Sequence, residues 1–148
     1  MGEPHNNGDN FVWRLQWSTD ICEDIVSWTN PKGRLTNSDL ELAALVLQES
    51  CFPAVCSTHL WHVLATGSDN TPPISWTFHE ASTVNPVVAD LLRLRSSHNR
   101  ASCLSPSVFY HPGQDNVMAD DTSRRFDLID AAFLPFFSTR YPPQSTGS

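Results

Sequence analysis

Hydrophobic and polar positions alternate almost without interruption at the start of the chain. Phe11, Trp13, Leu15 and Trp17 fall on one side of a two-residue period, with Val12, Arg14 and Gln16 between them. That period predicts a half-buried strand over 11–17. Ser18 to Glu23 allows one helical turn, Asp24 to Thr29 (Ile25, Val26, Trp28) a second strand, and Asn30-Pro31-Lys32-Gly33 a turn. A helix then follows to about Glu49. Ser38 suits its N-cap with Glu41 three residues on, and Leu42 to Leu47 are apolar nearly all round, as in a mostly buried helix. Leu60 to Thr66 reads as a short strand ending at Gly67-Ser68-Asp69-Asn70. Thr71-Pro72-Pro73 and Asn85-Pro86 each open a helix with proline in the first turn. In the second of these, Val87, Val88, Leu91, Leu92 and Leu94 form the apolar stripe, with Asp90, Arg93 and Arg95 away from it. Ser107 to Tyr110 is the last strand, a helix starts near Asn116, and Ile129 to Phe137 is a further apolar segment. The order strand, strand, helix, strand, helix, helix, strand, helix predicts an α/β layout with a mixed sheet.

Composition adds bounds. The chain has 148 residues, 40% hydrophobic positions and five tryptophans, enough for one folded domain. The polar ends predict a domain over 11–139 between disordered segments 1–10 and 140–148. A net charge of −7 weighs mildly against a nucleic-acid surface, although Arg93, Arg95, Arg100, Arg124 and Arg125 concentrate in one third of the chain. No apolar run reaches the ~20 residues of a membrane span, and polar residues follow Met1, so an intracellular protein, cytoplasmic or nuclear, is expected. The spacing Cys51-x4-Cys56-x2-His59-x2-His62 is too tight in its second pair for an ordinary zinc site.

Three acids stand at junctions between elements: Glu41 in the first turn of the buried helix, Asp69 after a strand, and Asp120 in the first turn of a later helix. Open α/β sheets place ligands at the carboxyl ends of strands. Each acid also has a plainer role open to it. Glu41 could complete a capping box, Asp69 could stabilise a turn, and Asp120 could face a helix dipole.

The most specific stretch is His111-Pro112-Gly113-Gln114-Asp115-Asn116-Val117-Met118-Ala119-Asp120-Asp121-Thr122-Ser123-Arg124. Its spacing, H-x-G-x-x-N-x-x-A-D-x-x-S-R, resembles the last catalytic segment of ribonuclease H domains fused to retroelement reverse transcriptases. Thr36-Asn37-Ser38-Asp39-Leu40-Glu41-Leu42 and Gly67-Ser68-Asp69-Asn70 match the family's preceding motifs in order, and the resemblance covers roughly residues 11–126. It implies a ribonuclease H-like mixed sheet flanked by helices, and cleavage of the RNA strand of RNA–DNA hybrids by two-metal hydrolysis. Glu41, Asp69 and Asp120 then take the places of ligands to Mg2+ or Mn2+. His111 takes that of a mobile histidine aiding proton transfer or product departure. Asp121 is read as a solvated neighbour. The implied partners are the hybrid and a reverse transcriptase polymerase domain, with no membrane.

The family's opening D-x-S strand has no counterpart here. Ten polar residues precede Phe11, and Asp9 among them has nothing apolar beside it. The expectation is therefore an N-terminally truncated copy that lacks the first, central strand and the metal-bridging aspartate. Turnover should then be weak, and the 60–66 strand should pair directly with the 11–17 strand. The second reading is a non-catalytic relative that keeps the fold as a nucleic-acid- or protein-binding module. The third is an unrelated α/β interaction protein whose acids are caps.

Overall fold

The computed structural model describes residues 12–55, 62–79 and 85–142. Among these the architecture is mixed α/β, with six helices and a two-stranded parallel sheet. They are α1 (Thr19–Glu23), α2 (Asn37–Val55), β1 (His62–Ser68), α3 (Thr71–His79), α4 (Pro86–Ala101), β2 (Leu104–Tyr110), α5 (Val117–Arg124) and α6 (Asp130–Arg140). The residues group into two compact units. One is Trp17–Asp115; the other joins the chain up to Gln16 with the chain from Asn116 onward. Segment 1–10, most of the expected tail, Asp9, Cys56 and His59 lie outside the described residues. No described helix is long and apolar enough to cross a membrane.

In the Trp17–Asp115 unit, β1 and β2 pair in parallel from His62↔Leu104 to Ser68↔Tyr110. Successive strand residues point to opposite faces. Thr66, Ser68, Leu104 and Val108 are accordingly buried on one face, while Val63, Ala65, Ser105 and Phe109 are exposed on the other. The buried face receives the helices: Leu45 of α2, Ile74 of α3 and Val108 form one apolar cluster. Leu42, Val88 and Leu92 form a second, between α2 and α4.

Helices α2 and α4 run side by side in the same direction. Asp39 meets Asn85 and Glu49 meets Arg95 at one constant separation of 46 residues, and Leu42 packs on Val88 at that same offset. The first turn of α4 is built as its sequence predicts. Asn85 caps it through Oδ1, which accepts from the Val87 amide at 2.9 Å, and Pro86 follows.

Four expectations need correction. The 11–17 strand does not form over the described residues 12–17. Arg14, from the polar side of the alternation, is the anchored residue there. Its guanidinium donates to the carbonyl oxygens of Arg125 and Leu128 and to Asp130, and lies 4.1 Å from the centre of the Phe133 ring. Loop carbonyls and an aromatic face thus fix this segment where a ladder was expected.

The second strand, Asp24 to Thr29, shrinks to a single bridge between Ile25 and Leu35. The Asn30 side chain donates to the carbonyls of Glu23 and Ile25, taking acceptors a strand would have used. The turn itself forms. Gly33 is required in it because a Cβ there would stand 2.6 Å from the Asp24 carbonyl oxygen. Third, the 60–66 strand is β1, running from His62 to Ser68, and its partner is β2 rather than 11–17. The described sheet is therefore wholly parallel, where a mixed one was expected. The fourth correction concerns α4. Val88, Leu92, Arg95 and Asn99 recur at helical spacing and are buried, whereas Leu94 is 58% exposed. Arg95 continues the stripe because Glu49 waits for it across the interface.

In the other unit, Phe133 and Phe137 are the buried side chains of α6. Arg140 and Tyr141, expected to begin the tail, are held: both donate to Asp121 at 2.6 Å. Asp121 is therefore no free solvated carboxylate. The Tyr141 hydroxyl and the Arg140 guanidinium hold its carboxyl below the usual carboxylate range.

Candidate functional site

The site starts with a choice at the beginning of α2. Two overlapping S/T-x-x-D/E pairs compete for the cap, Thr36 with Asp39 and Ser38 with Glu41. The first pair forms it. The Thr36 amide donates to Asp39 Oδ2 at 2.7 Å, its hydroxyl donates to the same oxygen at 2.8 Å, and the Asp39 amide returns a bond to Thr36 Oγ1 at 3.3 Å. Asp39 Oδ1 also accepts from the Asn85 amide at 2.9 Å, which ties the box to the cap of α4. That extra bond is available only to Asp39, and it decides the register. The plainer role for Glu41 is thereby removed, and its carboxylate is left for something else.

Glu41 instead faces the end of β1. Asn37, one turn earlier on the same helix, donates to Glu41 Oε1 at 3.2 Å. The polar side chains of Ser68 and Asn70 also lie close enough to act on the carboxylate. Asn70 itself is fixed on two sides: its backbone amide donates to Ser68 Oγ at 3.2 Å and its side-chain amide to Ser38 Oγ at 3.2 Å. Ser38 thus joins α2 to the β1–α3 turn instead of capping its own helix.

Burial pushes the Glu41 carboxyl above its usual range. Hydrogen bonding from Asn70, Asn37 and Ser68 pulls it down, and the charge of Asp69 pushes it up again. The net shift is upward, with burial its largest cause and the like charge of Asp69 adding to it.

The last strand brings in the third piece. The His111 amide donates to the Ser68 carbonyl at 2.9 Å, carrying the parallel pairing one step past Tyr110. The chain then turns through Pro112 into a short 3-10 turn, Gly113–Asp115. Gly113 lies directly on Asp69: a Cβ there would stand 2.5 Å from Asp69 Oδ2. Glycine in the His-x-Gly loop has a concrete cause, namely the room that the Asp69 carboxylate occupies. The His111 ring is turned edge-on to Phe109, with centroids 6.4 Å apart.

Glu41, Asp69 and the His111–Gly113 loop therefore meet at the carboxyl ends of β1 and β2. Asp120 belongs to the other unit. There its carboxylate is half exposed and pairs with Arg124 one turn along α5, at 2.8 Å. That pair is an ordinary surface contact of adjacent turns, the kind worth at most about 1 kcal/mol.

Among the described residues, no group of three or more His, Cys, Asp or Glu side chains is gathered tightly enough to hold a metal ion. What the Trp17–Asp115 unit offers is two hard oxygen donors, Glu41 and Asp69, that repel each other. A divalent cation would relieve that repulsion, and carboxylate oxygens are the donors that Mg2+ and Mn2+ prefer. The donor set fits a hard cation.

Sequence reasoning missed Asn70, Ser68 and Ser38 as parts of the site. The signals were present, since Asn70 directly follows Asp69 and Ser38 stands three residues before Glu41, but polar residues in turns read first as turn-formers. Asn37 at four residues before Glu41 was legible from helical spacing alone. Comparison of the chain with protein-family models, with curated proteins and with solved structures finds no match.

Proposed function

We propose that this chain is a ribonuclease H-like domain of a retroelement reverse transcriptase, acting on the RNA strand of RNA–DNA hybrids. The observation that supports the reading is the meeting of Glu41 and Asp69 at the ends of two parallel strands, with Gly113 of the His-x-Gly loop packed on Asp69. Three motifs far apart in sequence were matched to one family, and parts of all three come together in one place.

By motif match, Glu41 and Asp69 would be ligands to Mg2+ or Mn2+, with Asp120 assigned a ligand place by sequence order alone, and His111 would aid proton transfer or product departure. Divalent ions, when bound there, would supply an activated water and a stabilised leaving oxygen. The chain's own residues would hold the carboxylates in place, keep Asp69 clear through Gly113, and bring His111 to the same edge. The hybrid would be held through its backbone and 2′-hydroxyl groups, contacts that carry no sequence information. A polymerase domain of the same polyprotein is the natural partner, and the cytoplasm or nucleus the compartment. Because these 148 residues hold no counterpart of the family's strand-borne opening D-x-S aspartate, their turnover is expected to be weak.

The test is cleavage of an end-labelled RNA–DNA hybrid with Mg2+ or Mn2+, alongside hybrid binding. Slow metal-dependent cleavage, abolished in Asp69→Asn and Glu41→Gln, is the expected result. Binding without any cleavage would move the chain to the non-catalytic module of the same fold. Neither binding nor cleavage, or cleavage indifferent to both substitutions, would end the ribonuclease reading.

A further inference from the structure

We propose that Asn70 is a positioning residue for the metal-binding carboxylates, acting as a clip between β1 and α2 that holds Asp69 beside Glu41. The inference rests on the functional reading above and adds a residue that the motif match assigned no role. Glu41 and Asp69 sit on separate elements, a helix and a strand end, and their charges repel. Left alone, the two would separate, because the turn carrying Asp69 can swing and the Glu41 side chain can rotate away. Something must hold the turn against the helix.

That turn is tied to the first turn of α2 by the bond from Asn70 Nδ2 to Ser38 Oγ at 3.2 Å, across 32 residues. The other end of Asn70 is set by its own backbone amide, which donates to Ser68 Oγ at 3.2 Å. The side chain cannot drift without breaking one bond or the other. Its side-chain amide also lies close enough to Glu41 to act on the carboxylate. Asn70 therefore ties the strand end that carries Asp69 to the helix that carries Glu41. Outer partners of this kind typically affect metal affinity by about ten- to a hundredfold.

Mn2+ binding to the full chain, followed by isothermal titration and by Mn2+ electron paramagnetic resonance, tests the idea without reference to cleavage. Asn70→Ala should weaken Mn2+ binding about tenfold. Ser38→Ala, which cuts the same link from the other side, should weaken it in the same sense, and the double variant should be no worse than Asn70→Ala alone, as two ends of one bond require. Thermal melts of each variant separate a lost fold from a lost clip, and Ser38→Ala, a small change at the helix surface, keeps the question open to an answer if Asn70→Ala folds poorly. Unchanged Mn2+ affinity in both variants would overturn the clip and leave the functional reading standing. Additive losses would show that Ser38 and Asn70 act separately, which also overturns it. If the unaltered chain binds no Mn2+, or binds it equally after Asp69→Asn, the functional reading itself fails and the clip with it.

Discussion

Helix α2 carries two glutamates about two turns apart, Glu41 in its first turns and Glu49 past its middle, and the two are treated in opposite ways. Glu49 is 1% exposed and fully matched. Arg95 donates to both its oxygens, from Nε at 2.9 and 3.1 Å and from Nη2 at 3.0 Å, and Asn99 adds a fourth bond at 2.8 Å. Glu41, two turns earlier on the same helix, is half-buried. Around it are the amides of Asn37 and Asn70, the hydroxyl of Ser68 and the like charge of Asp69. Among the described residues, no cationic side chain is one of the groups that act on it. A protein that spends a guanidinium on one buried glutamate, and sets a second carboxylate against another, treats the first as structure. The second is a place for something that arrives. That contrast, more than the exposure of either residue, is why we propose a site at Glu41 and not at Glu49.

The contrast is broken most severely at the Glu49 end. Arg95→Met keeps the apolar stem and removes the charge, leaving a buried carboxylate with only the Asn99 amide. Losing one member of a buried pair typically costs about 3–5 kcal/mol, a large part of the ~5–15 kcal/mol that a domain has. Chemical denaturation should show Arg95→Met near the edge of folding. Glu49→Gln combined with Arg95→Met should be clearly more stable than the sum of the two single losses predicts. A strictly additive double variant would mean that the pair does not act as a unit. Among the described residues, Asn99 Oδ1 is buried without a hydrogen-bond partner, so this network is not saturated.

A smaller effect is expected where the loop meets Asp69. Gly113→Ala puts a methyl group into the space of Asp69 Oδ2, and either the loop or the carboxylate must move. Asp69 is exposed and can rotate, so the stability cost should be only about 1 kcal/mol, at the low end for a crowded contact. The same rotation should carry Asp69 away from Glu41. Backbone NMR should then show shifts confined to the 36–41, 67–70 and 111–115 segments, with Glu49 and its neighbours unmoved. Shifts spreading along α2 to Glu49 would show that the two ends are coupled and that the comparison is too simple.

How much of this could be read from the chain depends on what fixes each residue. Where a local rule decides alone, the reading held: Asn85-Pro86 starts α4, Asn30 to Gly33 is a turn, and Leu42, Val88 and Leu92 are buried. Where a distant partner decides, it did not. Arg14 was expected on the open side of a strand and is bound by the carbonyls of Arg125 and Leu128, over a hundred residues away. Arg95 was expected in solvent and is buried because Glu49 faces it. The α2 cap turned on Asp39 having a second use for its carboxylate, in Asn85. Spaced motifs singled out Glu41, Asp69 and Asp120 in the sequence, but only Glu41 and Asp69 share a unit, and the contact of Gly113 with Asp69 needed the structure. Asn70 and Ser38 were not, since nothing in their neighbours distinguishes a clip from two turn residues.

The smallest expected effect sharpens the comparison most, because it reads the cost of the unmatched carboxylate directly. Burial first, and then the charge of Asp69, raise the Glu41 pKa in the folded state above its unfolded value of about 4.3. The sign follows from linkage. The protonated form is favoured in the fold, so the contribution to stability is fully present below pH about 4.3 and is lost as pH rises through the folded value. Glu41→Gln imitates the protonated acid at every pH. It should match the unaltered chain in stability at acid pH and exceed it at neutral pH, by less than about 1 kcal/mol because solvent reaches the site. Mn2+ should reverse the order, stabilising the chain that keeps Glu41 and leaving Glu41→Gln nearly unaffected. Urea denaturation of both proteins between pH 3.5 and 8, with and without Mn2+, gives both readings. If Glu41→Gln were instead destabilising at neutral pH without metal, Glu41 would be a matched structural acid like Glu49, and the difference between the two ends of α2 would vanish.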